Sequence, residues 1–353
     1  MIKILVDAFG GDNAPHEIVK GALLGLKNNN DLFVTFTGKQ EVVECEIASL
    51  MTELGKKELK GLNLEGRYDI LDARDVITNS DQPTVAIRTK KDSSLVKAFD
   101  TLRQSEDYVG LLSAGSTGAV LTGGFLKIGR IPGVSRPACS PILPTIDGGS
   151  VVLVDSGANM DCKPINLVHF AIMASAYSKC VLGVENPRVA LVNVGTEAEK
   201  GNELTKEVYG LLKDCKEINF VGNMESRDLL SGNYDVVVAD AFAGNVLLKA
   251  TEGSVLQMLG LMKKEIMGSF WAKVGYLFMR KTFKRIKSVL DYNNKGGAVL
   301  LGCKKIIVKA HGSSKAKSIN ACISQLLAAH KSGLINVIGE AVSNLEGVET
   351  NEE

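Results

Sequence analysis

The chain has 353 residues, 45% hydrophobic and 23% charged, with aromatics scarce at 5% and 36 glycines. This is the composition of a globular chain long enough for one large α/β unit or two average domains, and a formal net charge of +1 gives no overall attraction to nucleic acid. Seven scattered cysteines without a Cys-x-x-Cys pair suit free thiols in a reducing cytoplasm; Asp7 comes too early for a signal peptide, and no apolar run reaches the about 18 residues that span a bilayer.

In chain order, short β-branched runs alternate with longer helical patterns. A strand over 2–7 leads through Gly10-Gly11-Asp12-Asn13 to a helix opening near Pro15, where Pro suits a first turn and Asp12 or Asn13 a cap. A second strand over 31–37 and a charged helix over 41–54 follow. Then come a buried strand over 108–112, a small-residue helix over 117–128, and a strand over 151–154. Helices are expected over 164–183, 199–215, 245–264, 272–288 and 314–331, with strands over 188–194, 219–221, 235–239 and 304–308. The alternation predicts a mostly parallel sheet with helices on both faces, in one unit over 1–353, with a frayed tail at 348–353.

Open α/β sheets bind ligands beyond the carboxyl ends of their strands. Six small, polar or glycine-rich turns follow predicted strands here: 7–12, 113–118, 155–159, 193–197, 240–245 and 309–313. All six are expected along one sheet edge. The turn Ser113-Ala-Gly115-Ser116-Thr117-Gly118 opens a helix, where backbone N–H groups and hydroxyls suit a tetrahedral anion. A cation has to assist, and Lys200 and His311 follow other strands of that edge. A dinucleotide fits less well, because Gly115-x-x-Gly118 is not Gly-x-Gly-x-x-Gly and the second strand ends without an acid for a ribose. The histidines lack metal-ligand spacing, and Asp12, Asp155 and Asp240 suit helix capping as well as a cluster.

One segment breaks the charge balance. Residues 263–287 hold eight Lys and Arg against Glu265, a net +7, which leaves 33 basic against 39 acidic residues, or −6, elsewhere. Phe270, Trp271, Tyr276, Leu277, Phe278 and Met279 sit among those lysines, including Lys273. The residues fit either two core-packed helices with a solvated basic face or an inserted amphipathic hairpin over 253–290 that docks on an anionic membrane.

The chain resembles the acyl-acyl-carrier-protein:phosphate acyltransferase (PlsX) family of bacterial phospholipid synthesis. The motifs are VDAFGGDNAP (6–15), SAGSTGA (113–119), DSGAN (155–159), NVGTEAEKGNE (193–203), VGNMESRD (221–228), DAFAGNVLLKATEG (240–253), GGAVLLG (296–302) and HGSS (311–314). Ser116, Ala241 and Ser226 stand where that family usually has Asn, Gly and Gly; the methyl of Ala241 is expected to tighten the pocket or tilt its turn. The resemblance implies a three-layer αβα sandwich, related to phosphotransacetylases and isocitrate dehydrogenase, with a protruding hairpin. It also implies transfer of a fatty acyl group from acyl-carrier protein to inorganic phosphate, without metal or cofactor.

On that basis Ser113, Gly115, Ser116, Thr117, Gly118 and Asn159 are candidates for the phosphate cradle. Lys200 and His311 are candidates for charge stabilisation or proton transfer, with Asp240 and Asn245 orienting them. Lys127, Arg130 and Arg136 are candidates for docking the acidic carrier. Phe270, Trp271, Lys273 and Leu277 are candidates for the membrane. The resemblance further implies a homodimer, cytoplasmic and peripheral on the inner face of the cell membrane, beside a glycerol-phosphate acyltransferase. A dehydrogenase of the related fold and a non-catalytic adaptor for carrier or membrane are the alternatives.

Overall fold

A computed structural model describes residues 1–53, 58–289 and 296–345. Its elements are β1 (Ile2–Asp7), α1 (His16–Asn28), β2 (Leu32–Gly38), α2 (Gln40–Glu53), β3 (Tyr68–Asp72), α3 (Pro83–Thr89), α4 (Ser94–Gln104), β4 (Tyr108–Ser113) and α5 (Thr117–Gly123), which runs on as a π-turn through Gly124–Ile128. There follow β5 (Ala138–Ser140), β6 (Ile142–Pro144), β7 (Ser150–Val154), α6 (Pro164–Leu182), β8 (Arg188–Asn193), α7 (Glu203–Asp214), β9 (Asn219–Glu225) and β10 (Val236–Val238). The chain then forms α8 (Ala241–Gly268), α9 (Phe270–Val289), β11 (Ala298–Leu301), β12 (Ile306–Lys309), α10 (Ala316–Lys331) and α11 (Leu334–Ser343). Leu54 of the second expected helix, position 290 of the expected hairpin and the 348–353 tail lie outside the described residues.

The single expected sheet is two. Seven strands run in the order β3-β2-β1-β4-β12-β11-β5 and five in the order β6-β7-β10-β8-β9. Most pairs are parallel; β11 is antiparallel to β12 and β5, and β6 to β7. The divide falls at Pro141, between β5 and β6, which has no N–H to give a ladder. Its carbonyl still accepts from Leu153 N at 3.1 Å, and Cys139 O accepts from Ser156 N at 2.9 Å, so the stretch passes from one sheet edge to the other without separating them.

Strand side chains alternate between faces, and the core follows. Ile4 and Val6 pack towards α1 and α10, while Leu5, Leu111 and Ile307 pack under α4 and α5. In the smaller sheet Val152, Val154, Val236 and Val238 belong with α6, and Val151, Leu153 and Val237 lie with Leu247 of α8. Helix α6 is long and apolar enough to cross a membrane, against the expectation that no segment qualifies, but 72% of its 18-residue apolar stretch is buried inside the protein. It serves as the core helix that packs on β7, β10, α10 and α11.

Helices α8 and α9 form the hairpin. The core-packing alternative fails there: Leu256, Leu261, Phe270, Trp271, Leu277 and Phe278 are all exposed, Trp271 by 78%.

Candidate active site

Three turns at the carboxyl edge of the large sheet lock into one platform. Asp7, buried at the end of β1, accepts hydrogen bonds from Ser94 Oγ at 2.6 Å and Ser113 Oγ at 2.7 Å. Burial raises its pKa, against these donors. Ser113 Oγ also accepts from Gly115 N at 3.0 Å. Both groups were expected in the cradle, yet both serve the platform's own hydrogen bonds. A Cβ at Gly10 would lie 2.6 Å from Asp7 Oδ2 and from Gly115 N, so only glycine lets the first loop close on the second. Asp12 N donates to Gly312 O at 2.8 Å and Asn13 Nδ2 to Ser313 O at 3.0 Å, which adds the third loop.

The facing wall comes from the small sheet. Asp155 is wholly buried and accepts from the amides of Cys139, Gly157, Ala158 and Asn159 and from Asn159 Nδ2. Asn159, another expected cradle residue, is buried and donates also to Pro137 O at 2.8 Å, so it braces the 155–159 turn. Helix α8 starts against that turn: Ala241 N donates to Asn159 O at 3.0 Å, and Asp240 Oδ1 caps the helix by accepting from Ala243 N at 2.7 Å. The carboxylate of Asp240 is thus engaged by its own helix. Ala241 is fully buried and lies outside the cavity lining, so its methyl belongs to packing rather than to a tightened pocket. Ser226 is exposed on the turn after β9.

The six turns therefore divide between two sheets, and five of them, all but 193–197, line a cleft of two adjoining cavities. One cavity, of about 450 Å³, is lined by Asp12, Gly115, Ser116, Thr117, Lys309 and His311 on its polar side. A second, of about 290 Å³, is lined by Thr117, Ser156, Gly157, Asn245, Lys309 and His311, with Ile142, Leu143 and Leu248 as an apolar wall. The two share Thr117, Lys309 and His311. Gly118 packs beneath, where a Cβ would come within 2.7 Å of Pro83. His311 Nδ1 accepts from Ser313 N at 3.2 Å, which puts the proton of the neutral ring on Nε2, and Ser313 Oγ lies 2.8 Å from the same nitrogen. Burial first, and the neighbouring Lys309 second, push the His311 pKa below its ordinary value.

The remaining candidates lie elsewhere. Lys200 is exposed on the loop after β8, its carbonyl held by Asn193 Nδ2 at 3.0 Å, and lines neither cavity. Lys127 pairs with Asp100 at 2.8 Å; Arg130 donates to Ser135 O, and Arg136 to Asp161 O at 3.3 Å. Lys273 is exposed on α9 with Phe270, Trp271 and Leu277. Sequence reasoning placed Lys309 on a post-strand turn but not in the site. The available signal was a lysine closing the apolar run Ile306-Ile307-Val308. A larger groove, of about 780 Å³, lies at the opposite edge between α11 and Lys304-Lys305, where Lys305 pairs with Glu106 at 2.8 Å.

The family model described as "Fatty acid synthesis protein" matches residues 2–337. The phosphate acyltransferase of Clostridium tetani is 44% identical over 346 residues, covering 98% of this chain and 99% of its own. That of Bacillus cereus strain B4264 is 44% identical over 324 residues, covering 92% and 93%. Among solved structures, a phosphotransacetylase from Streptococcus pyogenes superposes with a TM-score of 0.56 at 17% identity, covering 93% of this chain and 94% of its own. A branched-chain phosphotransacylase from Enterococcus faecalis V583 gives 0.55 at 16% identity, covering 93% and 98%. The fold is that of these α/β phosphotransacylases.

Proposed function

Because the chain belongs to the phosphate acyltransferase family of fatty acid synthesis proteins, we propose that it transfers a fatty acyl group from acyl-carrier protein to inorganic phosphate, giving acyl phosphate for phospholipid synthesis. The observation that carries this reading is the pair of cavities that share Thr117, Lys309 and His311. The polar one suits phosphate beside Ser116 and Thr117. The one walled by Ile142, Leu143 and Leu248 suits the acyl thioester.

Phosphate is itself the nucleophile, so no serine or cysteine has to form an acyl intermediate. An oxygen of hydrogen phosphate attacks the thioester carbonyl carbon and the C–O bond forms. The tetrahedral oxyanion collapses, the C–S bond breaks, and the proton carried by phosphate ends on the departing thiolate. The protein's task is to orient the two reactants and to meet the developing charge. His311, protonated on Nε2, supplies a donor at the junction, and the Asn245 amide one in the second cavity. Lys200, on the loop after β8 at the same strand edge as Ser156 and Asn245, is the cation assigned to stabilise the developing charge.

Lys127, Arg130 and Arg136 form the basic approach for the acidic carrier. The α8–α9 hairpin docks a homodimer on the anionic inner face of the cell membrane, near a glycerol-phosphate acyltransferase. The exposed Phe242 and Val246 near the start of α8, and Phe270 and Trp271 at the hairpin tip, support these two surfaces.

The test is release of carrier thiol from acyl-carrier protein with and without inorganic phosphate. Release is expected to require phosphate. Lys200→Ala and His311→Ala are each expected to lower turnover more than substrate affinity, His311→Ala by about 10²-fold or more. Phosphate-independent release, or binding of acyl carrier with no release, overturns the reading.

A further inference from the structure

Lys309 ends β12, pairs in register with Ser113 of β4, and is 8% exposed. Among the described residues its ammonium makes one hydrogen bond, to the carbonyl oxygen of Ala310, and no ion pair within 4 Å. A buried cation is costly unless an anion or several acceptors compensate it. One carbonyl leaves two of its three N–H groups unspent.

The groups around it do not supply the missing charge by contact. Asp7 of β1 and Asp12 of the following loop are the carboxylates that act on it, but Asp7 is bound by Ser94 and Ser113. The thiols of Cys139 on β5 and Cys322 on α10, also beside it, are pushed up to about 12 by burial and stay neutral. His311 carries no negative charge, and Lys249 and Glu252 of α8 stand on the lining of the second cavity. Lys309 lines both cavities, as does Thr117, and Ser116 lines the polar one.

We propose that Lys309 is a catalytic residue that receives inorganic phosphate: its ammonium contacts one phosphate oxygen, and the Ser116 and Thr117 hydroxyls meet the others. The proposal rests on the reading that phosphate is the acyl acceptor. Burial, the leading influence, lowers the Lys309 pKa to about 8. Phosphate binding therefore weakens as pH rises through that value, and bound phosphate in turn holds the proton on.

The test uses the full chain and Lys309→Met, which keeps the length of the side chain and removes its charge. Unfolding temperature is measured against inorganic phosphate at pH 7 and pH 9, and KM is measured separately for phosphate and for the acyl donor. Wild type is expected to be stabilised by phosphate at pH 7 and less so at pH 9. Without phosphate, Lys309→Met is expected to unfold at or above the wild-type temperature, because an uncompensated buried charge is gone. Its response to phosphate falls and its KM for phosphate rises about tenfold or more, while KM for the acyl donor stays within about twofold. Lys309→Met that fails to fold, or melts lower without phosphate, marks Lys309 as a structural strut and overturns the proposal. A Lys309→Met that keeps the full phosphate response overturns this proposal alone. A wild type indifferent to phosphate overturns it together with the acceptor reading.

Discussion

His169 sits inside α6 at 5% exposure and accepts the Ser135 N–H on Nδ1 at 3.0 Å. Burial holds its pKa down at about 4, against an ordinary value of 6.5. The unfolded chain thus takes up a proton near pH 6.5, whereas the folded chain does so only near pH 4. Within that window the unfolded state binds more protons and stability falls as the pH falls. We expect this residue to cost about 2 to 3 kcal/mol of stability between pH 7 and pH 4.5, read by equilibrium unfolding in denaturant, with the slope flattened in His169→Gln. Single residues also mark where reading the sequence stopped. Ser116, Thr117 and His311 were legible as polar groups after strands, and they do line the cleft. Ser113, Asn159 and Asp240 carried the same signal, but their side chains bond to Asp7, to Pro137 and Asp155, and to the Ala243 amide. Chemical type tells that a side chain can bind; its partner depends on the loops packed against it.

At the scale of elements, α8 joins the site to the hairpin. Its first turn is set on the Asp155 turn so closely that a Cβ at Gly244 would stand 1.9 Å from the Asp155 carbonyl oxygen. Backbone cannot yield as a flexible side chain does, so Gly244→Ala is expected to cost about 3 kcal/mol, measured as a lowered denaturation midpoint, and to lower turnover by shifting Asn245. The strands and helices of β1, α1, β2, β4, α5, α6 and β8 were readable from apolar patterning, periodic in α1 and near-continuous in α6 and the buried parallel strands. β3, β5, β6 and β11 were not: each holds at most one β-branched residue, whereas β7, β10 and β12, no longer than these, each hold three and were readable. Helix α4 was passed over although it carries an N-cap, Ser93, whose Oγ accepts from Val96 N at 3.4 Å, and a buried stripe of Leu95, Val96, Ala98, Phe99 and Leu102. Those signals are local and were present to be read.

For the whole molecule, charge and exposure coincide. The +7 segment at 263–287 lies on the element whose tip exposes Phe270 by 71% and Trp271 by 78%. Each basic residue near an anionic surface contributes at most about 1 kcal/mol, screened by salt, so the attachment proposed for the hairpin would be peripheral. Phe270→Ala with Trp271→Ala is expected to reduce flotation with vesicles containing anionic lipid by about tenfold or more, while leaving the unfolding temperature of the body unchanged. Equal flotation of variant and wild type, or equal flotation with neutral vesicles, removes the membrane assignment.

The sequence by itself determined the alternation of strands and helices, the position of the glycine-rich turns beyond the strand ends, the excess of positive charge in one segment, and the motifs of the family. Each of these is written in consecutive residues. Only the tertiary structure decided that there are two sheets and not one, which turns face each other across the cleft, that α6 is a core helix, and that Lys309 is buried with one carbonyl as its hydrogen-bond partner among the described residues. Those outcomes depend on contacts between residues such as Asp7 and Ser113, or Gly244 and Asp155, far apart in the chain, and no local pattern carries the geometry of a contact that forms only when the layers pack.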